Sequence, residues 1–284
     1  MKYITIVFDN SPLSRLLEES ERDRDAILTG LRTFAILRVT GMNVIETIQV
    51  PNRDLRMTKL RLLKELTRAV NPYQTPNDLL GDIARAYQNY GSLDLGDHVS
   101  WFVVNNPDEI TDEMALAGLK WHRDREKWFR DMYEDLRATY QPLFETGTLP
   151  RPKSATDLLK YFISRRETYY DMLLLDIYER HTGYRPTHEE FTTFLETKDA
   201  CGWALFWLAR IYAMFQRSIQ RKRYSWKVNA GLHDLDSAIY LPYCDWFVTG
   251  DAPQRRAFRL LNALNRRPTR IVDYADFRRQ LFVG

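Results

Sequence analysis

The period of the hydrophobic positions changes abruptly at residue 9. Residues 4–8 are β-branched or aromatic, residues 9–12 are Asp, Asn, Ser and Pro, and Leu13, Leu16 and Leu17 then recur at helical spacing. An apolar run bounded by turn-forming residues is typical of a buried strand, and apolar residues three or four positions apart are typical of a helix face. The pattern predicts a strand, a tight turn and a helix.

A second unit of the same kind follows. Residues 34–39 predict a strand, Gly41 marks a break, and residues 44–49 predict a short helix. Leucines at helical spacing within residues 55–70, with basic residues between them, predict an amphipathic helix with a basic outer face.

The middle of the chain, residues 77–223, has an almost entirely helical pattern. The helical period is clearest over residues 158–178 and 203–219, and the segment Trp101 to Val104 is the one strand candidate. Breaks are expected at four places where Gly, Asn or Pro cluster: 91–96, 105–107, 147–152 and 183–186.

The pattern changes back after Gly231. We expect a helix over 233–243, a strand over 246–249, a helix that opens at Asp251 with Pro253 in its first turn, a strand over 270–272 and a closing helix over 274–281. Strands that alternate with helices at both ends predict an α/β fold with a parallel sheet, interrupted by a mostly helical insertion or cap.

Composition supports a globular protein of this kind. The 284 residues are 44% hydrophobic and 28% charged, which is enough for one large or two ordinary domains with real cores. Cys201 and Cys244 are too few for a disulfide framework and do not form a CxxC pair that could hold zinc.

The N-terminus lacks the features of a secretion signal, and the most apolar stretch, 200–215, is interrupted by Arg210 and too short to span a membrane. We therefore expect a cytoplasmic location and no membrane contact.

The net charge of +3 does not indicate a nucleic-acid partner, but basic residues concentrate in one stretch. Arg217, Arg221, Lys222 and Arg223 lie there without an intervening acid and are candidates for binding an RNA backbone. Such a stretch is more often a solvated face, and both interpretations stay open.

Acidic residues follow two of the predicted strands. Parallel α/β sheets collect functional groups at the carboxyl ends of their strands, and Asp9 and Asp251 both lie there, so the two carboxylates converge if the strands are neighbours. Asp234 and Asp236 on the preceding helix compete to add a ligand, and Glu46 is a further candidate. Clustered carboxylates repel one another unless a hard cation such as Mg²⁺ or Mn²⁺ compensates, and these ions support phosphodiester hydrolysis.

Each acid also has a simpler interpretation. Asp9 and Asp251 both precede a proline near a helix start, so either could serve as a helix N-cap. Glu46 could be a solvated helix residue. The metal-site interpretation depends on the conjunction of the acids rather than on any one of them.

Several segments resemble the PIN-like nuclease family. The opening Ile6-Val7-Phe8-Asp9-Asn10-Ser11 is similar to the first strand and metal-binding aspartate of that family, with Ser11 at the place of its small polar residue. Asp236-Ser237-Ala238-Ile239 and Phe247-Val248-Thr249-Gly250-Asp251 resemble its late acidic helix and strand end, and residues 271–277 resemble its last strand and helix. About 150 residues separate the two matching parts, whereas PIN domains are usually compact.

The resemblance implies a PIN-like Rossmannoid domain formed by residues 1–75 and 228–284, with residues 76–227 as a helical insertion or cap. It implies a Mg²⁺- or Mn²⁺-dependent endoribonuclease in which Asp9, Glu46, Asp236 and Asp251 are catalytic. The metal ligands would come from Asp9, Asp234, Asp236 and Asp251, with Ser11 and Thr249 in support. A toxin or an anti-phage defence effector is the expected role, with an antitoxin or regulatory protein as the partner.

Two other functions are weighed against this one. In the first, the protein has lost catalysis and binds RNA or a protein through its helical region. In the second, the substrate is branched DNA, as for nucleases of the wider flap-nuclease-like group.

Overall fold

A computed structural model of the protein describes residues 3–67, 70–164, 171–220, 224–225, 229–263 and 268–282. Its four strands form one sheet in the order β2-β1-β3-β4, and every neighbouring pair is parallel. The strands are β1 (Ile4–Phe8), β2 (Ala35–Arg38), β3 (Trp246–Val248) and β4 (Arg270–Val272). The predicted α/β class with a parallel sheet is confirmed.

Helices make up most of the rest of the described chain. They are α1 (Asn10–Glu18), α2 (Glu21–Phe34), α3 (Gly41–Ile48), α4 (Arg53–Leu66), α5 (Pro76–Gln88), α6 (His98–Asn105), α7 (Asp112–Glu145), α8 (Ala155–Ser164), α9 (Asp171–Thr182), α10 (His188–Glu196), α11 (Cys201–Met214), α12 (Leu232–Asp236), α13 (Ala252–Asn262) and α14 (Tyr274–Phe282). Short 3-10 helices span Pro107–Glu109 and Ser237–Tyr243, and a π-helix spans Phe215–Ile219.

The alternating side chains of β1 separate two hydrophobic cores. Ile6 and Phe8 belong to a core formed with helices α1, α2, α4 and α14, in which the rings of Phe8 and Phe277 meet edge to face with centroids 5.0 Å apart. Val7 points to the opposite core. Because successive residues of a strand face opposite sides of a sheet, one strand anchors both layers.

The second core joins the sheet to helices from the middle of the chain. Phe247 of β3 and Trp203 of α11 belong to the same buried cluster, and the indole of Trp203 donates a hydrogen bond of 2.9 Å to the carbonyl of Leu80 in α5. Helices within residues 76–227 therefore cover one face of the sheet. The division into a discontinuous domain and an insertion stays a prediction.

The strand predicted over Trp101 to Val104 is wrong, because this segment lies within α6. Asp97 caps that helix by accepting a hydrogen bond of 2.9 Å from the amide of Ser100, and Val104 is buried while Trp101 and Phe102 are exposed. The cap outweighs the strand propensity of the apolar run. The helix predicted over 233–243 is instead α12 followed by a 3-10 helix that contains Pro242.

No helix in the described ranges combines the length and the apolar character that crossing a membrane requires. The longest, α7, carries charged residues throughout its 34 positions.

Candidate functional site

The carboxyl edge of the sheet brings Asp9 and Asp251 together, as expected if their strands are neighbours. Phe8 of β1 is in register with Val248 of β3, and the amide of Asp9 donates a hydrogen bond of 3.0 Å to the carbonyl of Val248. Burial raises the pKa of Asp9, and the negative charge of Asp251 raises it further. The sheet thus holds two like charges close enough to affect each other.

Asp9 is held by hydroxyl groups from both strand ends. Thr249 Oγ1 donates to Asp9 Oδ2 across 3.2 Å, and Ser11 Oγ donates to the same oxygen across 3.4 Å. Ser11 Oγ in turn accepts a hydrogen bond of 2.6 Å from the amide of Gly250. The two residues expected to support the site therefore contact the carboxylate directly, and both hydrogen bonds oppose the rise in its pKa.

The two strand-end acids differ in whether their side chains cap a helix. Asp9 occupies the N-cap position of α1, but its side chain makes no capping hydrogen bond there. Asp251 Oδ1 accepts a hydrogen bond of 2.6 Å from the amide of Gln254 and so caps α13. Capping of α1 therefore does not account for the side chain of Asp9, whereas Asp251 has a capping role that engages one of its two oxygens.

Asp234 joins these acids and Asp236 does not. Burial, Asp9 and then Asp251 raise the pKa of Asp234 to about 7, while its Oδ2 accepts a hydrogen bond of 3.0 Å from the amide of Gly231. Asp236 Oδ2 instead forms an ion pair of 2.7 Å with Arg210, and only 4% of its side chain is exposed. Two positions along a helix differ by roughly 200° of rotation, so the two carboxylates point in opposite directions.

Glu46 reaches the same place from α3. The side-chain amide of Asn10 donates to its Oε2, and Asn10 is itself held by a hydrogen bond of 3.1 Å from Asn43 Nδ2. Burial, and then the charges of Asp9 and Asp234, raise the pKa of Glu46 to about 8. The weaker influence of Lys59 lowers it. Glu46 is thus a member of the group and not a solvated helix residue.

We call Asp9, Glu46, Asp234 and Asp251 the carboxylate cluster. Three of its members line a narrow pocket, together with polar side chains that include those of Asn10, Asn43 and His233. Within the described residues, no three members have oxygens that all lie within 4.8 Å of one another. Burial, and then the charges of neighbouring carboxylates, raise the pKa values of Asp9, Glu46 and Asp234, so binding of a proton or a cation stabilises the cluster.

The predicted basic track is only partly described. The guanidinium of Arg217 lies 4.0 Å from the ring centroid of Tyr224 and 5.6 Å from that of Tyr133, and the residue is half-buried. Arg217 therefore packs against aromatic rings, an arrangement that favours a structural role. Arg221, Lys222 and Arg223 lie outside the described residues.

Sequence reasoning missed the amides that order the pocket. Asn43 Oδ1 accepts a hydrogen bond of 2.7 Å from the amide of Thr40, and the pair forms a capping box at the start of α3. Gln254 is fully buried, and its side chain donates a hydrogen bond of 2.9 Å to the carbonyl of Asp234. The spacing of Thr40 and Asn43 is a recognisable capping signal, but nothing local in the sequence indicates the role of Gln254.

Comparison with models of protein families, with curated proteins and with solved structures found no match for this chain.

Proposed function

We propose that the protein is a metal-dependent nuclease that hydrolyses RNA phosphodiester bonds. The observation that carries this proposal is the carboxylate cluster, in which acids from two strand ends and two helices share one edge of a parallel sheet. The resemblance to PIN-like nucleases supports the same chemistry, and it is also the basis for preferring RNA and for a role as a toxin or anti-phage defence effector.

The donor set fits a hard divalent cation. Asp9, Glu46, Asp234 and Asp251 offer only carboxylate oxygens, which are the ligands that Mg²⁺ and Mn²⁺ prefer. Mg²⁺ usually keeps several waters and takes one or two carboxylates directly, so the wide spacing of the cluster is compatible with it. When bound, such an ion activates water and stabilises the charge that develops on the phosphate.

The residues of the chain have separate tasks in this proposal. Asp9, fixed by Thr249 and Ser11, is the central ligand, and Asp234 and Asp251 complete the set on one side. Glu46, whose pKa is raised to about 8, can hold a proton at neutral pH in the absence of a cation. It is therefore suited to accept or release a proton beside the scissile phosphate.

The test is cleavage of labelled single-stranded RNA by purified protein in Mn²⁺, with and without a chelator. We expect Mn²⁺-dependent cleavage by the wild type, and a loss of at least about a hundredfold in Asp9→Asn and Asp251→Asn, because removal of partners that only orient metal ligands already costs about 10–100-fold. Asp25→Asn, the same change at an exposed position of α2, should cleave like the wild type.

Three results would count against the proposal. Cleavage that survives in both site variants contradicts the assignment of the site. Failure of the folded wild type to cleave any nucleic acid contradicts nuclease activity and favours a binding protein. A clear preference for branched DNA over RNA contradicts the proposed substrate.

A further inference from the structure

A second group of potential metal ligands lies outside the carboxylate cluster. The ligand atoms of His122, Glu126 and His233 all lie within 4.8 Å of one another, and these residues form the one such group of three or more among the described His, Cys, Asp and Glu residues. Two come from the long helix α7 and one from α12. The group therefore joins two elements that are far apart in sequence.

His233 is the unusual member. Only 8% of its surface is exposed, yet neither Nδ1 nor Nε2 has a hydrogen-bond partner. A buried polar group without a partner destabilises the fold, so buried histidine nitrogens are normally hydrogen-bonded or bound to an ion. The ring faces His122, with the two centroids 4.6 Å apart.

The α7 side of the group is arranged by helix geometry. His122 and Glu126 are four positions apart and so share one face of the helix, and His122 Nε2 lies 3.5 Å from Glu126 Oε1. The side chain of His122 is 22% exposed and that of Glu126 is 61% exposed. An ion requires a small movement of the ligands, because tetrahedral bonds of about 2.0–2.1 Å place ligand atoms about 3.3 Å apart. The exposed side chain of Glu126 can make such a movement.

The types of ligand atom restrict which ion this group can hold. Burial, and then the charges of His122, Arg125, Arg210 and Arg217, lower the pKa of His233, and Arg210 is neutralised by its ion pair with Asp236. Mg²⁺ and Ca²⁺ depend on oxygen ligands, and this group offers only one carboxylate. Two imidazoles and one carboxylate form a mixed nitrogen and oxygen set that suits Zn²⁺.

We propose that His122, Glu126 and His233 bind one Zn²⁺ ion at a site separate from the carboxylate cluster. The ion ties α7 to α12 and so holds the short helix that carries Asp234, the residue next to His233. Its role is positional: it fixes one wall of the pocket without contributing a ligand to the cluster. This inference goes beyond the proposed nuclease function and does not depend on it.

The experiment titrates chelator-treated, metal-free protein with Zn²⁺ in competition with a chromophoric chelator, and follows thermal unfolding in parallel. We expect one tight equivalent that depends on His122 and Glu126, and a rise in Tm, because an ion that binds only the folded state stabilises it. His122→Ala and Glu126→Gln should each weaken binding by at least about tenfold. His122 and Glu126 are not fully buried in α7, so we expect their variants to fold. These two variants therefore test the site even where replacement of the buried His233 by Ala prevents folding.

Two controls separate this site from others. His98→Ala removes an exposed histidine that also lies 3.6 Å from a carboxylate four positions away, that of Asp94, and should leave binding unchanged. Asp9→Asn removes a ligand of the carboxylate cluster and not of this site, so the Zn²⁺ equivalent that is lost in His122→Ala and Glu126→Gln should persist in Asp9→Asn, whatever the outcome for the nuclease proposal. Absence of a tight equivalent in the folded wild type, or equal affinity in wild type, His122→Ala and Glu126→Gln, overturns the zinc site.

Discussion

Thr249 Oγ1 donates a hydrogen bond of 3.2 Å to Asp9 Oδ2, which connects residues 240 positions apart at the ends of paired strands. The same hydroxyl oxygen accepts a hydrogen bond of 3.1 Å from the amide of Asp251. Thr249 is completely buried. One hydroxyl therefore orients the central carboxylate and fixes the backbone of a second.

Replacement of Thr249 by Val should disturb both acids, because it removes the donor to Asp9 and the acceptor of the Asp251 amide. We expect a loss of about 1–3 kcal/mol in the free energy of unfolding and a weaker affinity for Mn²⁺. Chemical denaturation and calorimetric Mn²⁺ titration measure the two effects. Thr249→Ser keeps the hydroxyl and should retain most of the affinity; equal affinity in Thr249→Val and wild type would contradict this role.

The pH dependence of stability should reveal the raised pKa of Glu46. Its pKa rises from an ordinary value of 4.5 to about 8 on folding, so between these values the folded state binds more protons than the unfolded state. The stabilising effect of the proton is complete below pH 4.5 and is lost as the pH rises through 8. We expect metal-free protein to lose stability over this range.

Glu46→Gln cannot ionise and should lose less stability over the same range. One pKa unit corresponds to about 1.4 kcal/mol. Between pH 5 and pH 8, we expect the free energy of unfolding of metal-free protein to fall by about 1–3 kcal/mol less in the variant than in wild type, as measured by denaturation. Saturating Mg²⁺ should reduce this difference, because the cation replaces the proton. Parallel pH profiles for both proteins would show that Glu46 does not carry the raised pKa.

Asp234 and Asp236 should respond oppositely to loss of their negative charge. Asp234→Asn removes one of several repelling charges, so we expect unchanged or greater stability and weaker Mn²⁺ binding. Asp236→Ala leaves the guanidinium of Arg210 buried without its partner, which costs about 3–5 kcal/mol for a buried ion pair. Thermal unfolding and Mn²⁺ titration distinguish the two, and a stable Asp236→Ala protein with lost Mn²⁺ binding would reverse the assignment.

The sequence was informative about this site where backbone geometry alone determines the outcome. Asp9 and Asp251 could be placed at one edge because parallel strands end together, and their strands are neighbours. The choice between Asp234 and Asp236 could not be made, because helical rotation separates them but does not tell which face meets the sheet. That choice depends on Arg210, which lies in a different helix.

The strand prediction at Trp101 to Val104 was wrong for a different reason. Its apolar residues have strand propensity, but the cap at Asp97 begins a helix, and only Val104 of the four is buried. The local pattern of apolar residues could not indicate that tertiary packing buries only one side of this short helix. The role of Gln254 was invisible for the same reason, since its partner, the carbonyl of Asp234, is 20 residues away.

Removal of residues 76–227 should abolish folding. Trp203 and Phe247 share one core, so replacement of this segment by a short Gly/Ser linker would expose one face of the sheet to water. Circular dichroism and limited proteolysis of the shortened chain should show an unfolded or aggregated protein. A monomeric, protease-resistant product would instead support an independent domain formed by residues 1–75 and 228–284.

The central claim is that the carboxylate cluster binds a divalent cation, and calorimetric titration of chelator-treated protein with Mn²⁺ at neutral pH tests it most directly. We predict that Mn²⁺ binds to the wild type and releases protons, because the raised pKa values of Glu46 and Asp234 leave protons for the ion to displace. Proton release makes the measured heat depend on the ionisation enthalpy of the buffer. Asp9→Asn should weaken this binding at least about tenfold, and Asp25→Asn should not. Absence of Mn²⁺ binding by folded wild type, or the same affinity in Asp9→Asn, would contradict the account.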